Sequence, residues 1–302
     1  MSKHSGFSLG HFRQKTAMKL RRFLKKREKD SHKGNYGHIF MLAGSRGLTG
    51  AAALCANASL RAGSGLVTLG IPFSLNLAME AKLTEVMTCP LEETREGTLS
   101  LKAKKEILNK IDGSDVTVLG PGLSNNPETR RLICQIVTRV KKAMVIDADA
   151  LTALSKNKTI LKKIKCKYII TPHPGEMSRL VDKDTDYIKK NRLGVAKKFS
   201  NYYNAVVVLK GSATVVTDRD ARTRFYVNET GNPGMATAGA GDVLTGIIGG
   251  FLSQGLDPFD AAKLGVYIHG FAGDLAAKEK CEIGLIASDI LEKVPEAIKL
   301  AT

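Results

Sequence analysis

The sequence predicts an α/β fold: a mostly parallel central sheet with helices on both faces and a small antiparallel hairpin. Three observations carry this expectation. Short β-rich runs alternate with helical patterns. The runs are apolar at nearly every position rather than at every second one, as in strands buried on both faces. Two late runs stand only a few polar residues apart, the spacing of a hairpin.

HIFMLAG (38–44) reads as a buried strand, followed by a helix through AAALCANASLRAG (51–63), which is rich in small residues. LVTLGIP (66–72) is the next strand; a mixed segment follows, then the basic helix LKAKKEILNKI (101–111). VTVLG (116–120), AMVID (143–147), YIIT (168–171) and AVVVLKG (205–211) are β-rich runs with helical patterns between them. ATVVTD and RFYVNE make the hairpin. After GNPGMATAGAGD, the residues Val243, Leu244, Ile247, Ile248, Phe251 and Leu252 recur at helical spacing, with Asp242 where that helix starts, either as its cap or as part of an anion site. DPFDAAKLGVYIHGFAGDLAA and SDILEKVPEAIKL close the chain as helices, the second opened by a Ser288 cap. No repeat or long linker interrupts this pattern, so residues 30–302 read as one domain behind a basic, helical extension at 1–29.

Composition narrows the function classes. A hydrophobic content of 43% with 25% charged residues is that of a soluble globular chain. The apolar runs are all too short to cross a membrane as a helix. The basic start lacks the apolar core and cleavage site of a secretory signal. Its acid-free residues 1–27 share some character with a mitochondrial transit segment; a helix docking on the body or a neighbouring subunit is the preferred reading. Five separated cysteines with no CxxC suit a reducing cytoplasm and give no zinc or disulfide framework. The net charge of +17 is concentrated in two blocks. Residues 1–33 carry 11 Lys/Arg against 2 Asp/Glu, and residues 156–200 carry 13 against 4. Neither block interleaves aromatics or shows a nucleic-acid motif, so attraction for phosphorylated small ligands is favoured over nucleic acid.

In parallel sheets ligands sit beyond the carboxyl ends of the strands, and the unusual residues of this chain fall there. Gly44-Ser45, Gly120-Pro121-Gly122, Asp147-Ala148-Asp149, Pro172-His173-Pro174-Gly175-Glu176 and Lys210-Gly211-Ser212 each end a strand. Singly these have bland readings: a turn, a hydrogen-bonded loop histidine, a solvated lysine. Converging with the Gly-rich loop before Asp242, they describe an anion site. Gly239 and Gly241 let backbone amides approach phosphate at a helix start. A carboxylate there repels phosphate, and makes sense if it takes the proton from a hydroxyl that attacks phosphorus.

The stretches DSHKGNYGHIFMLAGS, LTGAAALCANASLRAGSGLV, LGPGL, VIDADALTAL, ITPHPGEMSRL, VVLKGSATVV and GNPGMATAGAGDVLTGIIGGFLSQG run from about Asp30 to about Glu296. In that order they resemble the ADP/ATP-dependent NAD(P)H-hydrate dehydratases, a branch of the ribokinase-like superfamily. GxGD marks only the superfamily; HKGxYG, TPHPGE and GNPGMATAG together are specific to the branch. The resemblance implies dehydration of hydrated NADH and NADPH (NADHX and NADPHX) at the expense of ADP or ATP, with Mg²⁺ held chiefly through phosphate oxygens and water and its protein ligands unassigned. It implies Asp242 as the base and Lys210, Gly211, Ser212, Ala213 and Thr214 as a nucleotide-phosphate loop. Asn232, Gly234, Met235 and Thr237 fall in a second nucleotide loop, with Gly239 and Gly241 on the transferred phosphate. Ala51, Gly122, His173 and Asp242 match positions that contact the hydrated cofactor. A homo-oligomer, commonly a tetramer, and work alongside a separate NAD(P)H-hydrate epimerase are further implications. One departure is Gly239-Ala240-Gly241-Asp242 where many relatives have GTGD, a form nearer the sugar and vitamin kinases. A kinase of a small alcohol or vitamin precursor is therefore the alternative enzyme, and a catalytically silent binding module the alternative from another class.

Overall fold

In the computed structural model, which describes residues 21–24, 26–219 and 224–302, the chain forms a nine-stranded sheet flanked by helices on both faces. The strands are β1 (His38–Leu42), β2 (Leu66–Pro72), β3 (Met87–Leu91), β4 (Val116–Leu119), β5 (Ala143–Ile146), β6 (Tyr168–Ile170), β7 (Val206–Leu209), β8 (Val215–Thr217) and β9 (Phe225–Val227). Their order is β3-β2-β1-β4-β5-β6-β7-β8-β9. All pairings from β3 to β7 are parallel; β8 pairs antiparallel with β7 and β9 with β8. The expected hairpin is thus the continuation of the main sheet.

Alternation along each strand divides the core. Ile39, Met41, Val118, Val145, Ile169 and Val208 point into one apolar layer. Phe40, Leu42, Leu119, Ile146, Ile170 and Leu209 point into the other. The first layer is closed by α1 (Thr49–Arg61), α9 (Ala240–Ser253), α10 (Pro258–Lys280) and α11 (Ala287–Ala301). The short α2 (Asn76–Lys82) adds Met79 to it. The second layer is closed by α3 (Lys104–Asp112), α4 (Pro127–Ile136), α5 (Ala148–Ser155), α6 (Pro174–Val181), α7 (Thr185–Lys190) and α8 (Arg192–Tyr203).

Three local expectations are corrected. The mixed segment contains β3, an edge strand whose Pro90 hides it from an apolar-run search. Asp242 does not cap α9: Gly239 occupies the cap position at φ +87°, a left-handed conformation that glycine adopts without penalty, and Asp242 lies within the first turn. Ser288 does not cap α11; Asp289 Oδ2 accepts from the Ile286 amide at 3.0 Å instead. The helix expected in the N-terminal extension lies largely outside the described residues; within them, Arg21–Phe23 forms a single 3₁₀ turn.

The helix that carries the Gly-rich loop is held unusually close to α1. A Cβ at Gly246 would meet Cys55 O at 2.1 Å, and one at Gly250 would meet Ser59 O at 2.6 Å. Ser59 Oγ donates to Gly246 O at 3.0 Å across the contact. Gly246→Ala is expected to destabilise the protein by about 1–3 kcal/mol or more through overpacking. Gly50→Ala, at a helical position with open space around the added Cβ, should leave stability unchanged or slightly higher. Thermal melts of the two variants check the difference; equal melting points would mean that α9 shifts freely on α1.

Candidate active site

The carboxyl ends of β1, β4, β5, β6 and β7 and the N-terminus of α9 meet at one edge of the sheet. Lys210, just past β7, turns its side chain inward and is mostly buried. Its ammonium donates to Asp147 Oδ1 at 2.7 Å and lies 3.9 Å from Glu176 Oε2. Asp147, 1% exposed, accepts with its other oxygen from Thr245 Oγ1 at 2.7 Å. Glu176 Oε2 accepts from the His173 amide at 2.7 Å. Burial lowers the Lys210 pKa, but Asp147 and Glu176 outweigh it and hold the ammonium above its ordinary value. Burial raises Glu176 to about 6.

Asp242 sits among these charges. Burial, reinforced by the negative charge of Asp147 and only partly opposed by Lys210, pushes its carboxyl up to about 7. A carboxyl that titrates near neutrality at a helix N-terminus is suited to take up a proton during a reaction. The Gly241 backbone packs beside Lys210, since a Cβ there would stand 3.4 Å from Nζ.

A cavity of about 720 Å³ opens from this point toward the antiparallel end of the sheet. Its walls include the expected phosphate loop, Lys210 to Thr214. Of the second loop, Asn232 and Met235 line it, as does Gly241. Gly234, Thr237 and Gly239 do not. Gly234 donates to Asn232 Oδ1 at 3.0 Å with Glu282 packed against its Cα, and Gly239 is packed against Leu54. Thr237 accepts through its carbonyl from the Ala240 amide at 3.4 Å. All three shape the turn that delivers Gly241.

The expected cofactor contacts fall in two places, Gly122 and Ala51 in one and His173 beside Lys210 in the other. Gly122 and Ala51 adjoin, a Cβ on the first falling 3.2 Å from that of the second, and Ser45 Oγ donates to Gly122 O at 2.8 Å. His173 caps α6: its Nδ1 accepts from the Gly175 and Glu176 amides, and its Nε2 lies 3.5 Å from Glu176 Oε1. Burial and then the positive charge of Lys210 lower its pKa, so the ring is neutral at pH 7. One ring is thus both the cap of α6 and a neighbour of Lys210 and Asp147.

Sequence reasoning missed several contributors. His269, on α10, lines the cavity, and its Nε2–H donates to Ala240 O at 2.9 Å; burial pulls its pKa down to about 4. Arg192 donates to Leu209 O at 2.8 Å from behind the phosphate loop. Asp274 accepts from the Gly231 amide at 3.1 Å and from Asn232 Nδ2 at 3.2 Å, fixing the second loop. The basic, helical spacing around Arg192 gave no local signal, and His269 and Asp274 sit in an ordinary amphipathic helix.

Comparison with known proteins bears on the chain as a whole. The family described as NAD(P)H-hydrate dehydratase matches residues 39–296. The chain is 44% identical over 291 residues to the bifunctional NAD(P)H-hydrate repair enzyme Nnr of Moorella thermoacetica, covering 96% of this chain and 54% of that protein. It is 37% identical over 281 residues to the ADP-dependent (S)-NAD(P)H-hydrate dehydratase of Neisseria meningitidis, covering 91% and 89%. The chain spans about half the length of the bifunctional relatives it matches. Among solved structures, the ADP/ATP-dependent NAD(P)H-hydrate dehydratase of Bacillus subtilis, co-crystallised with ATP and Mg²⁺, aligns with a TM-score of 0.79 at 28% identity, over 95% of this chain and 97% of that one. A hydroxyethylthiazole kinase from Pyrococcus horikoshii shares the fold at 14% identity and a TM-score of 0.60.

Proposed function

Because the chain belongs to the NAD(P)H-hydrate dehydratase family, we propose that it uses ADP or ATP to return hydrated NADH and NADPH to the reduced cofactors. The observation that carries this reading is the Asp242 carboxyl. Burial and the charge of Asp147 push it up to about 7, and the neighbouring Lys210 and Gly241 line a polyphosphate-sized cavity.

Hydroxide leaves a carbon centre poorly, and phosphorylating the C6 hydroxyl of the hydrated ring removes that obstacle. Asp242 takes the hydroxyl proton as the oxygen attacks the terminal phosphorus, and the bond from that phosphorus to the nucleotide breaks. Amides at the start of α9 and the Lys210 ammonium meet the charge that develops on the transferred group. The ring nitrogen then expels phosphate from C6 while C5 gives up a proton, restoring the reduced nicotinamide. Among the described residues no group of three or more His, Cys, Asp or Glu forms a metal cage, and Asp147 and Glu176 are turned to Lys210. That donor set fits Mg²⁺ carried on the nucleotide phosphates, where it would neutralise their charge.

The cofactor side is assigned to Ala51, Gly122 and His173, the nucleotide side to residues 210–214 and 231–241. A separate epimerase that interconverts the hydrate epimers, a homo-oligomeric state and a cytoplasmic location belong to the same proposal; no helix among the described residues is long and apolar enough to cross a membrane. Mixing the protein with NADHX, Mg²⁺ and either ADP or ATP is expected to restore the near-UV absorbance of NADH with release of inorganic phosphate. A stable phosphorylated alcohol, with no absorbance regained, would establish the kinase reading instead.

A further inference from the structure

We propose that Asp147 is a positioning residue: it ties the Lys210 ammonium to the first turns of α9 and thereby sets the catalytic carboxylate against the nucleotide loop. The proposal rests on the function assigned above to Asp242.

Asp147 occupies the N-cap position of α5, where an aspartate normally accepts bonds from the first free amides. It makes no such side-chain bond. Its carbonyl takes the Ala150 and Leu151 amides instead, at 3.1 and 3.4 Å. The carboxylate turns away from its own helix, is buried, and spends both oxygens on distant segments: Lys210, 63 residues along, and Thr245, 98 residues along. A buried ion pair can often be replaced as a unit by apolar side chains with little loss of stability, so the choice of partners is informative. Thr245 stands one turn after Asp242 on the same helix. Lys210 opens the phosphate loop and packs against Gly241. One carboxylate therefore fixes the reacting base and the phosphate ligand relative to the end of β5. Thr171, at the end of β6, adds a hydroxyl 3.4 Å from that of Thr245.

The same placement makes Asp147 a lever on Asp242. The groups whose fields reach Asp242 are Asp147 and Asp149 at the end of β5, Lys210 after β7 and Glu176 on α6; Cys55 on α1 and His269 on α10 stay neutral in its surroundings. Removing the Asp147 charge takes away the strongest repulsion that Asp242 meets.

Two variants and two readouts test this. Thr245→Val keeps volume but cannot donate; kcat should fall by about 10–100-fold, as for a small misplacement of a reacting group, while KM for NADHX and the melting point change little. Thr245→Ser, which keeps the hydroxyl, should restore turnover. In Asp147→Asn, the Asp242 carboxyl, followed by ¹³C NMR in the nucleotide-free protein and assigned with Asp242→Asn, should titrate about one unit lower. Wild-type kcat in Thr245→Val, or an unmoved Asp242 titration in Asp147→Asn, would overturn the proposal. The titration needs no turnover, so failure of the wild-type protein to dehydrate NADHX would count against the assigned function and leave the NMR result to judge this inference.

Discussion

Asp242→Asn is expected to reduce turnover by about 10²–10⁴, the usual contribution of a general base, while making the ligand-free protein more stable above neutral pH. Both effects follow from one displaced titration. In the wild type, kcat/KM should fall with acid as the free enzyme protonates Asp242 at about 7. The folded-state pKa lies above the ordinary 3.8, so the ionised carboxylate works against folding. That penalty is absent at low pH, grows as pH rises from about 4, and is complete above 7, where it is on the order of 4 kcal/mol. Asparagine does not ionise, so the variant should melt with the wild type near pH 4 and above it at pH 8. Nucleotide affinity should hold or rise, because a negative charge beside the phosphate is gone. Turnover assays, melts at two pH values and nucleotide titrations on this variant are sufficient. Near-wild-type turnover would end the assignment of Asp242 as base.

Lys210→Ala is expected to cost more in folding than in binding. The change leaves Asp147 buried without its counter-charge, and breaking a buried pair from one side typically costs about 3–5 kcal/mol. Loss of its contact to the nucleotide phosphate adds about 1.5–3 kcal/mol to the binding side alone. The double variant Lys210→Met with Asp147→Leu should regain most of the melting temperature and none of the nucleotide affinity. Melts without nucleotide and calorimetric titrations with ADP and NADPHX separate the two contributions. A single variant as stable as the wild type would show that the pair contributes little to the fold.

The architecture was legible because strands β1, β4, β5, β6 and β7 are buried on both faces and so are written as unbroken apolar runs ended by glycine, proline or charge. β3 was not, because an edge strand tolerates Pro90 and the exposed Met87. The start of α9 was misread by a few residues, since a carboxylate near a glycine run looks like a cap, whereas a left-handed Gly239 does that work and frees Asp242. Residues 210–214, Asn232, Met235 and Gly241 were singled out by motif as nucleotide contacts, and the structure brings them to one cavity. The Lys210–Asp147–Thr245 chain was invisible: no local pattern couples residues 63 and 98 positions apart. Arg192 and His269 escaped for the same reason, each acting on a backbone carbonyl that the fold, not the sequence neighbourhood, supplies.

The glycine-to-carbonyl contact between α9 and α1 has a consequence for how the protein fails when heated. The helix that carries Asp242 is also one that closes an apolar layer of the core, and at Gly246 and Gly250 only small side chains of its neighbour lie at the contact, with little room to yield gradually. Such an interface has no loosened but still serviceable state. The site cannot fray ahead of the core as a surface loop does, and the core cannot soften while the site survives. Heat inactivation and loss of tertiary structure are thus expected to coincide, which activity and near-UV circular dichroism followed through one melt would check.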